Sequence, residues 1–206
     1  TAVGGTSLAV GASNNYLFET GWATGRSILQ ADGTWTVPPP GTYLYGAGGG
    51  TSRLFTQPAY QAGVVPDALA TAHGARPQPM RVVPDVSAVG DPNTGYLVGQ
   101  TQTFPDGSVR YSEFRLGGTS LSSPLYAGMI AVAQQQAGRT FGFANPLLYQ
   151  TAGTAANHDV VPHSGLGVIR NDYINGVDGT DGYRVSFRSF DFTTGLTIHT
   201  RPGYDD

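Results

Sequence analysis

The chain has 206 residues, 14 acidic side chains against 11 basic ones for a formal net charge of −3, and no cysteine. Without cysteine there is no disulfide, thiolate metal site or cysteine nucleophile, and without a basic cluster neither nucleic acid nor an anionic membrane surface is an expected partner. Thirty glycines and fourteen prolines beside 11% aromatic residues describe a tightly turned globular chain, one domain or a large piece of one, with no apolar run of membrane-spanning length and no visible signal peptide.

In chain order, residues 1–10 predict a buried strand and residues 16–22 a second extended piece, with Trp22 and Trp35 as packing residues. Residues 32–41, which end in Pro38-Pro39-Pro40-Gly41, are punctuated as a loop or hairpin. Gly46-Ala47-Gly48-Gly49-Gly50 lacks the Gly-Lys-Ser/Thr ending of a phosphate-binding loop; a glycine-rich edge beside Tyr45 suits a peptide backbone lying alongside it. Residues 66–72 predict a short helical turn that His73-Gly74 ends. Residues 82–89 predict a buried strand and turn leading to Asp91-Pro92-Asn93-Thr94-Gly95. Within it Asp85 has apolar neighbours and needs hydrogen-bond partners inside the fold.

Residues 96–99 and 109–116 read as two strands joined through Pro105-Asp106-Gly107. The second feeds into Gly117-Gly118-Thr119-Ser120-Leu121-Ser122-Ser123-Pro124, followed by a helix from about Ser123 to Gly138, and Asn145-Pro146 opens another short helix. Strand, glycine turn and helix in that order are the local form of an α/β layer. After Gly153 the pairs Asn175-Gly176, Asp178-Gly179 and Asp181-Gly182, and the alternation over 183–188, describe a turn-rich β segment rather than an EF-hand.

The chemistry concentrates at residues 117–124. Two glycines let the backbone bend sharply, and the amides of a helix's first turn can face an oxyanion developing beside Ser120, an arrangement suited to acyl transfer. The alternative is a serine that only caps the helix. The same five letters, Gly-Gly-Thr-Ser-Leu, occur at residues 4–8 with no proline and no helical period, so Ser7 is expected on a strand.

Gly-Thr-Ser-x-Ser-x-Pro before a small-residue helix resembles the nucleophile motif of the sedolisins, the serine-carboxyl peptidases, which share a fold with the subtilisins. Three further blocks agree in chain order: Thr1-Ala2-Val3-Gly4-Gly5-Thr6-Ser7-Leu8, Gly48-Gly49-Gly50-Thr51-Ser52 with Phe55, Pro58 and Tyr60, and Arg81-Val82-Val83-Pro84-Asp85-Val86-Ser87-Ala88 with Asp91-Pro92. The resemblance implies a subtilisin-like α/β fold, a parallel sheet with flanking helices, in which residues 1–206 are the later half of a catalytic domain cut at both ends. It makes Ser120 the nucleophile and puts the catalytic Glu and Asp, and the oxyanion Asp, upstream of Thr1.

The family also carries one calcium ion near its C-terminus. His158-Asp159-Val160 and Arg201-Pro202-Gly203-Tyr204-Asp205 match its two segments, so Asp159 and Asp205 are expected to give carboxylates and Val160, Arg201 and Gly203 main-chain oxygens. Arg201 stands where the family usually has Gly. Both aspartates could instead be solvated loop residues.

The resemblance thus implies a secreted, acid-active endopeptidase or tripeptidyl-peptidase, a monomer made with a propeptide and acting on peptides or proteins. Glu has a reference pKa of about 4.3 against about 6.5 for His, so a Glu base works in acid where His is already charged. The 206 residues alone are expected to be inactive, because a serine without its base is a poor nucleophile. The rival readings are a subtilisin-type enzyme with a His base elsewhere and a non-catalytic homologue. Glu19 and Glu113 are expected to be surface or strand residues.

Overall fold

The computed structural model describes residues 1–11, 13–37, 42–72, 78–161, 168–174, 184–190 and 202–205. The strands are β1 (Val3–Val10), β2 (Tyr16–Gly21), β3 (Ala23–Leu29), β4 (Thr42–Gly46), β5 (Gly50–Thr56), β6 (Met80–Val83), β7 (Val86–Val89), β8 (Tyr96–Thr103), β9 (Val109–Leu116), β10 (Val168–Ile174) and β11 (Arg184–Phe190). The helices are α1 (Asp67–Ala70), α2 (Thr119–Ala137) and α3 (Asn145–Gln150), with a 3-10 turn at Ala59–Gln61.

The α/β unit that the sequence implies is the sheet β2-β1-β7 with α2 packed on β1 and β7. β1 and β7 run parallel, Val3 opposite Val86 and Thr6 opposite Val89, while β2 adds an antiparallel edge through the short link after Val10. The remaining pairings among the described residues are antiparallel: β10-β11-β3-β4, β5-β6, and the hairpin β8-β9 closed by the Pro105-Asp106-Gly107 turn. Tight turns of this kind return the chain beside itself, whereas a parallel pair needs a long crossover, here residues 11–85. The expected turn-rich C-terminal segment contributes β10 and β11; its Asn-Gly and Asp-Gly turns lie outside the described residues.

The expected strand over 82–89 is two strands. Pro84 has no N–H for a ladder, and the chain breaks there, so that β6 joins β5 and β7 joins β1. At the break Asp85 turns inward: its side chain is wholly buried, and it accepts hydrogen bonds from Arg81 Nη2 (2.7 Å), the Ala2 amide (2.7 Å) and Tyr149 OH (3.0 Å). Gln61 is buried beside it, its Nε2 donating to Tyr149 OH (2.6 Å) and Val82 O (2.7 Å) while its Oε1 accepts from Val82 N (3.1 Å). The apolar core grows around this group, with Val65, Ala70, Val82 and Tyr149 buried and Tyr60, Val64, Leu69 and Tyr204 packed against them. The aspartate that sequence leaves among apolar neighbours is therefore satisfied, as burial of a charge requires.

Burial alone would raise the Asp85 carboxyl, but the hydrogen bonds from Arg81, the Ala2 amide and Tyr149 outweigh it and hold the group below the ordinary aspartate value. Its stabilisation is then fully present above that ordinary value, about 3.9, and is lost only as pH falls through Asp85's own lower one. Asp85→Asn should cost about 2 kcal/mol at pH 7. Urea denaturation should show that gap constant from about pH 7 to 5 and closing as the pH falls below the ordinary aspartate value; a gap unchanged in strong acid would contradict the assignment.

Candidate active site

α2 begins four residues before the sequence suggests. Its N-cap is Gly118, not a serine, and Gly118 has φ +91° and ψ 163°, a region essentially reserved for glycine. The turn it makes reverses β9 into α2 at once. Gly117 has a different constraint, because a Cβ there would lie 2.6 Å from the Gly90 carbonyl oxygen. Pro124 falls inside the helix, in its second turn, and supplies no N–H to the Ser120 carbonyl four residues back.

Ser120 is the second helical residue and is exposed, as is Thr119. It therefore does not cap the helix. Leu121 N and Ser122 N both donate to Gly118 O, at 2.9 and 3.3 Å, so the amides of Thr119 and Ser120 precede the helix's own hydrogen-bond ladder. A hydroxyl at the positive end of a 19-residue helix, open to solvent beside two amides of that kind, has the surroundings in which an oxyanion is stabilised.

Two positions on, the next serine has the opposite environment. Ser122 is wholly buried, and its Oγ lies 3.0 Å from Val89 O, 3.1 Å from Ala88 O and 3.4 Å from Gly118 O. It fastens the first turn of α2 to the end of β7. In the sequence Ser122 is only a letter of the motif; its burial follows from the helical period, which turns it to the sheet when Ser120 faces out. In the other Gly-Gly-Thr-Ser-Leu copy, Ser7 lies on β1 as expected, buried, and donates to Asp91 Oδ2 at 2.8 Å.

No His, Asp or Glu among the described residues hydrogen-bonds to Ser120. The two glutamates serve strands: Glu19 on β2 accepts from the Thr6 hydroxyl, and Glu113 on β9 accepts from Tyr111 OH at 2.8 Å. In the glycine-rich segment, β4 ends at Gly46 and β5 starts at Gly50, with Tyr45 exposed and its ring edge-on to Trp22. Trp22 is buried and donates from Nε1 to Thr24 Oγ1 (2.9 Å).

The two segments expected to hold calcium meet. Gly203 N donates to Asp159 Oδ2 at 2.9 Å across 44 positions. The second segment is anchored by Tyr204, whose OH donates to Pro84 O and whose ring stacks on Tyr149. Burial pushes the Tyr204 hydroxyl well above the usual tyrosine range and Tyr149 up to about 12, so both are fixed donors. Asp159 is exposed, Val160 and Asp205 are half-buried, and Arg201 lies outside the described residues. Among the described residues no three His, Cys, Asp or Glu side chains gather as a metal cluster, so any cation here would depend on main-chain oxygens as well.

The strain at Gly118 is directly testable. Gly118→Ala should lower stability by about 1–3 kcal/mol, read from the urea midpoint at unchanged slope. An unshifted midpoint would mean that the turn takes another course.

No protein-family model matches the chain. Among curated proteins it is similar to kumamolisin of Bacillus sp. (strain MN-32), 35% identical over 127 residues, 59% of this chain and 19% of that protein. It is 30% identical over 156 residues to tripeptidyl-peptidase sed5 of Aspergillus fumigatus (73% of this chain, 24% of the relative), and 29% identical over 164 residues to sedolisin of Pseudomonas sp. (strain 101) (77% and 22%). The chain thus spans about a quarter or less of the length of these relatives. Among solved structures it is similar to Pseudomonas sedolisin, a serine-carboxyl proteinase complexed with two molecules of pseudo-iodotyrostatin, with 27% identity, a TM-score of 0.46, and coverage of 73% of this chain and 32% of the other.

Proposed function

Over the span it shares with these relatives the chain belongs to the sedolisin family of serine-carboxyl peptidases, and from that premise we propose that it carries the nucleophile of an acid-active peptidase, Ser120, which cleaves peptide bonds in peptide or protein substrates. The observation that carries this reading is the position of Ser120, exposed in the first turn of α2 within the family's Gly-Thr-Ser motif. Buried, or on a strand like Ser7, the same residue would argue against it.

In this reading Ser120 Oγ attacks the carbonyl carbon of the scissile bond and its proton passes to a carboxylate base. The oxyanion forms beside the N-terminal amides of α2. Collapse breaks the C–N bond, the amine leaves with the proton, and water then hydrolyses the acyl-enzyme. Glu19 and Glu113 are both held on strands; the resemblance to the family assigns the base and the oxyanion acid to carboxylates upstream of Thr1, and on that assignment the isolated chain should be inactive. Secretion, synthesis with a propeptide and action as a monomer go with this proposal on family grounds.

An aldehyde or phosphonate inhibitor should label the full-length protein at Ser120 with an acid optimum, and Ser120→Ala should abolish both labelling and turnover. Activity that survives Ser120→Ala would refute the reading. Activity confined to neutral or alkaline pH would replace the carboxylate base with a histidine.

We also assign one calcium ion to Asp159, Val160, Arg201, Gly203 and Asp205, with carboxylates from the two aspartates and main-chain oxygens from the rest. What supports the fit is the donor set, hard oxygens as calcium prefers, and the hydrogen bond that already joins Asp159 to Gly203. The ion would act on stability and not on bond cleavage, since it binds the folded arrangement alone. Calcium at a hundredfold excess over its Kd should stabilise the full-length protein by about 2.7 kcal/mol. The melting temperature should rise with calcium, fall with a chelator and become indifferent to both in Asp159→Ala; no response in the unaltered protein would reject the site.

A further inference from the structure

The buried carboxylate of Asp91 has no part in the scheme above, yet the nucleophile turn rests on the segment it holds. We propose that Asp91 is a positioning residue for Ser120, acting through the main chain of residues 90–94. The inference rests on the peptidase reading of Ser120.

Asp91 is wholly buried. Its Oδ1 accepts from Asn93 N (2.8 Å) and Asn93 Nδ2 (2.7 Å), with Thr24 Oγ1 at 3.4 Å, and its Oδ2 accepts from Ser7 Oγ (2.8 Å). Thr24 Oγ1 itself accepts from Trp22 Nε1, which leaves its proton for Asp91. These donors come from β1, β3 and the turn after β7, so one carboxylate gathers three parts of the fold. Thr94 N closes the turn on Asp91 O at 3.1 Å, and Leu8 N donates to Thr94 Oγ1 at 3.1 Å. Gly90 N and Asp91 N both donate to Thr6 O, at 2.9 and 3.1 Å, which continues the β1·β7 pairing past the end of the strand.

The far side of this clamped turn is what the nucleophile turn touches. Gly118 N donates to Gly90 O, and Arg115 Nη1, two residues before Gly117, donates to Asn93 O at 3.2 Å. Gly117 packs so closely on Gly90 and Pro92 that no side chain fits between them. The approach of β9 and the N-cap of α2 are thus both referred to the Asp91 turn. Ser120, being exposed, has little packing of its own to fix it, and its aim is inherited from that support. A shift of about 1 Å at a reacting atom can cost on the order of a hundredfold in rate, so support at this distance bears on kcat.

An acid is suited to this place because its neighbours present hydrogens. In Asp91→Asn the amide oxygen can keep both contacts to Asn93, and its NH2 then faces Ser7 Oγ, whose hydroxyl can turn to accept. Asp91→Ala removes the acceptor that all of these donors share.

The test uses the full-length protein, a quenched-fluorescent peptide that the unaltered protein cleaves, and titration of active sites with the aldehyde inhibitor, so that turnover is read per competent site. For Asp91→Asn we expect kcat per titrated site to fall about tenfold, and for Asp91→Ala about a hundredfold, with KM within about twofold. Asp85→Asn, a change at a buried carboxylate with no contact to the nucleophile turn, should reduce the titratable fraction while leaving turnover per site unchanged. If Asp91→Ala does not fold, Asp91→Asn decides alone. Unaltered turnover per site in Asp91→Asn, with Ser120→Ala inactive, overturns the positioning role and leaves the peptidase reading standing. An active Ser120→Ala overturns both.

Discussion

The hydrogen bond from Gly118 N to Gly90 O is the contact on which the arrangement of this molecule turns. It joins the end of the β1·β7 pairing to the start of α2, and so sets the relation between the parallel layer and the helix that carries Ser120. An amide at a helix N-cap is ordinarily an orphan donor that water satisfies. Here it bonds to the sheet, and Ser122 Oγ adds a second tie to Val89 O from the first turn of the helix. The helix end is held at two points on its buried side while its outer side, with Thr119 and Ser120, stays open. Rigidity underneath and access above are the pairing that a nucleophile needs.

Two buried carboxylates divide the support of the fold. Asp85 is paired with a cation, Arg81, and its network reaches through Tyr149 and Gln61 to the apolar core and through Tyr204 to the C-terminal segment. Asp91 accepts from the Ser7 hydroxyl and the Asn93 amides and serves the other end of β7, against which the Gly117-Gly118 turn lies. Both sit at breaks in the β ladder, Asp85 just before β7 and Asp91 two residues beyond it. Where a strand stops, its backbone groups lose their partners, and a short acidic side chain can take up the freed N–H groups. The Ala2 amide on Asp85 and the Asn93 amide on Asp91 are both of this kind.

Much of this was legible in the residues. Proline, glycine and alternation located β1, β2, the β8-β9 hairpin, α1 and α3, because those elements are specified by local chemistry. The contrast between Ser7 and Ser120 was readable for the same reason: one copy of the pentapeptide continues a strand and the other meets a helix. The start of α2 was not, since Pro124 marks a helix mouth by propensity, whereas the real start is fixed four residues earlier by the positive φ of Gly118 and its tertiary bond to Gly90. The break at Pro84 was likewise hidden, because a run of valines reads as one strand until its two halves are known to pair with different partners. Asp91 and Ser122 were visible only as letters of motifs. Nothing local distinguishes a buried serine from an exposed one two residues away; only the sheet beneath the helix does.

The chemistry of the interior fits the conditions that a carboxylate-dependent peptidase demands. Such an enzyme works where histidines are charged and many carboxylates are protonated, the conditions under which folds commonly fail in acid. In the core of this molecule Asp85 is held below the ordinary aspartate value, and Tyr149 and Tyr204 are pushed upward, Tyr149 to about 12. Their group therefore exchanges no proton over the whole interval between the lowered acid and the raised phenols. Gln61 to Val82 and Ser122 to β7 are buried ties from groups that do not titrate in that range at all. These ties keep their protons in place as the solution is acidified, until the pH falls through the lowered value of Asp85.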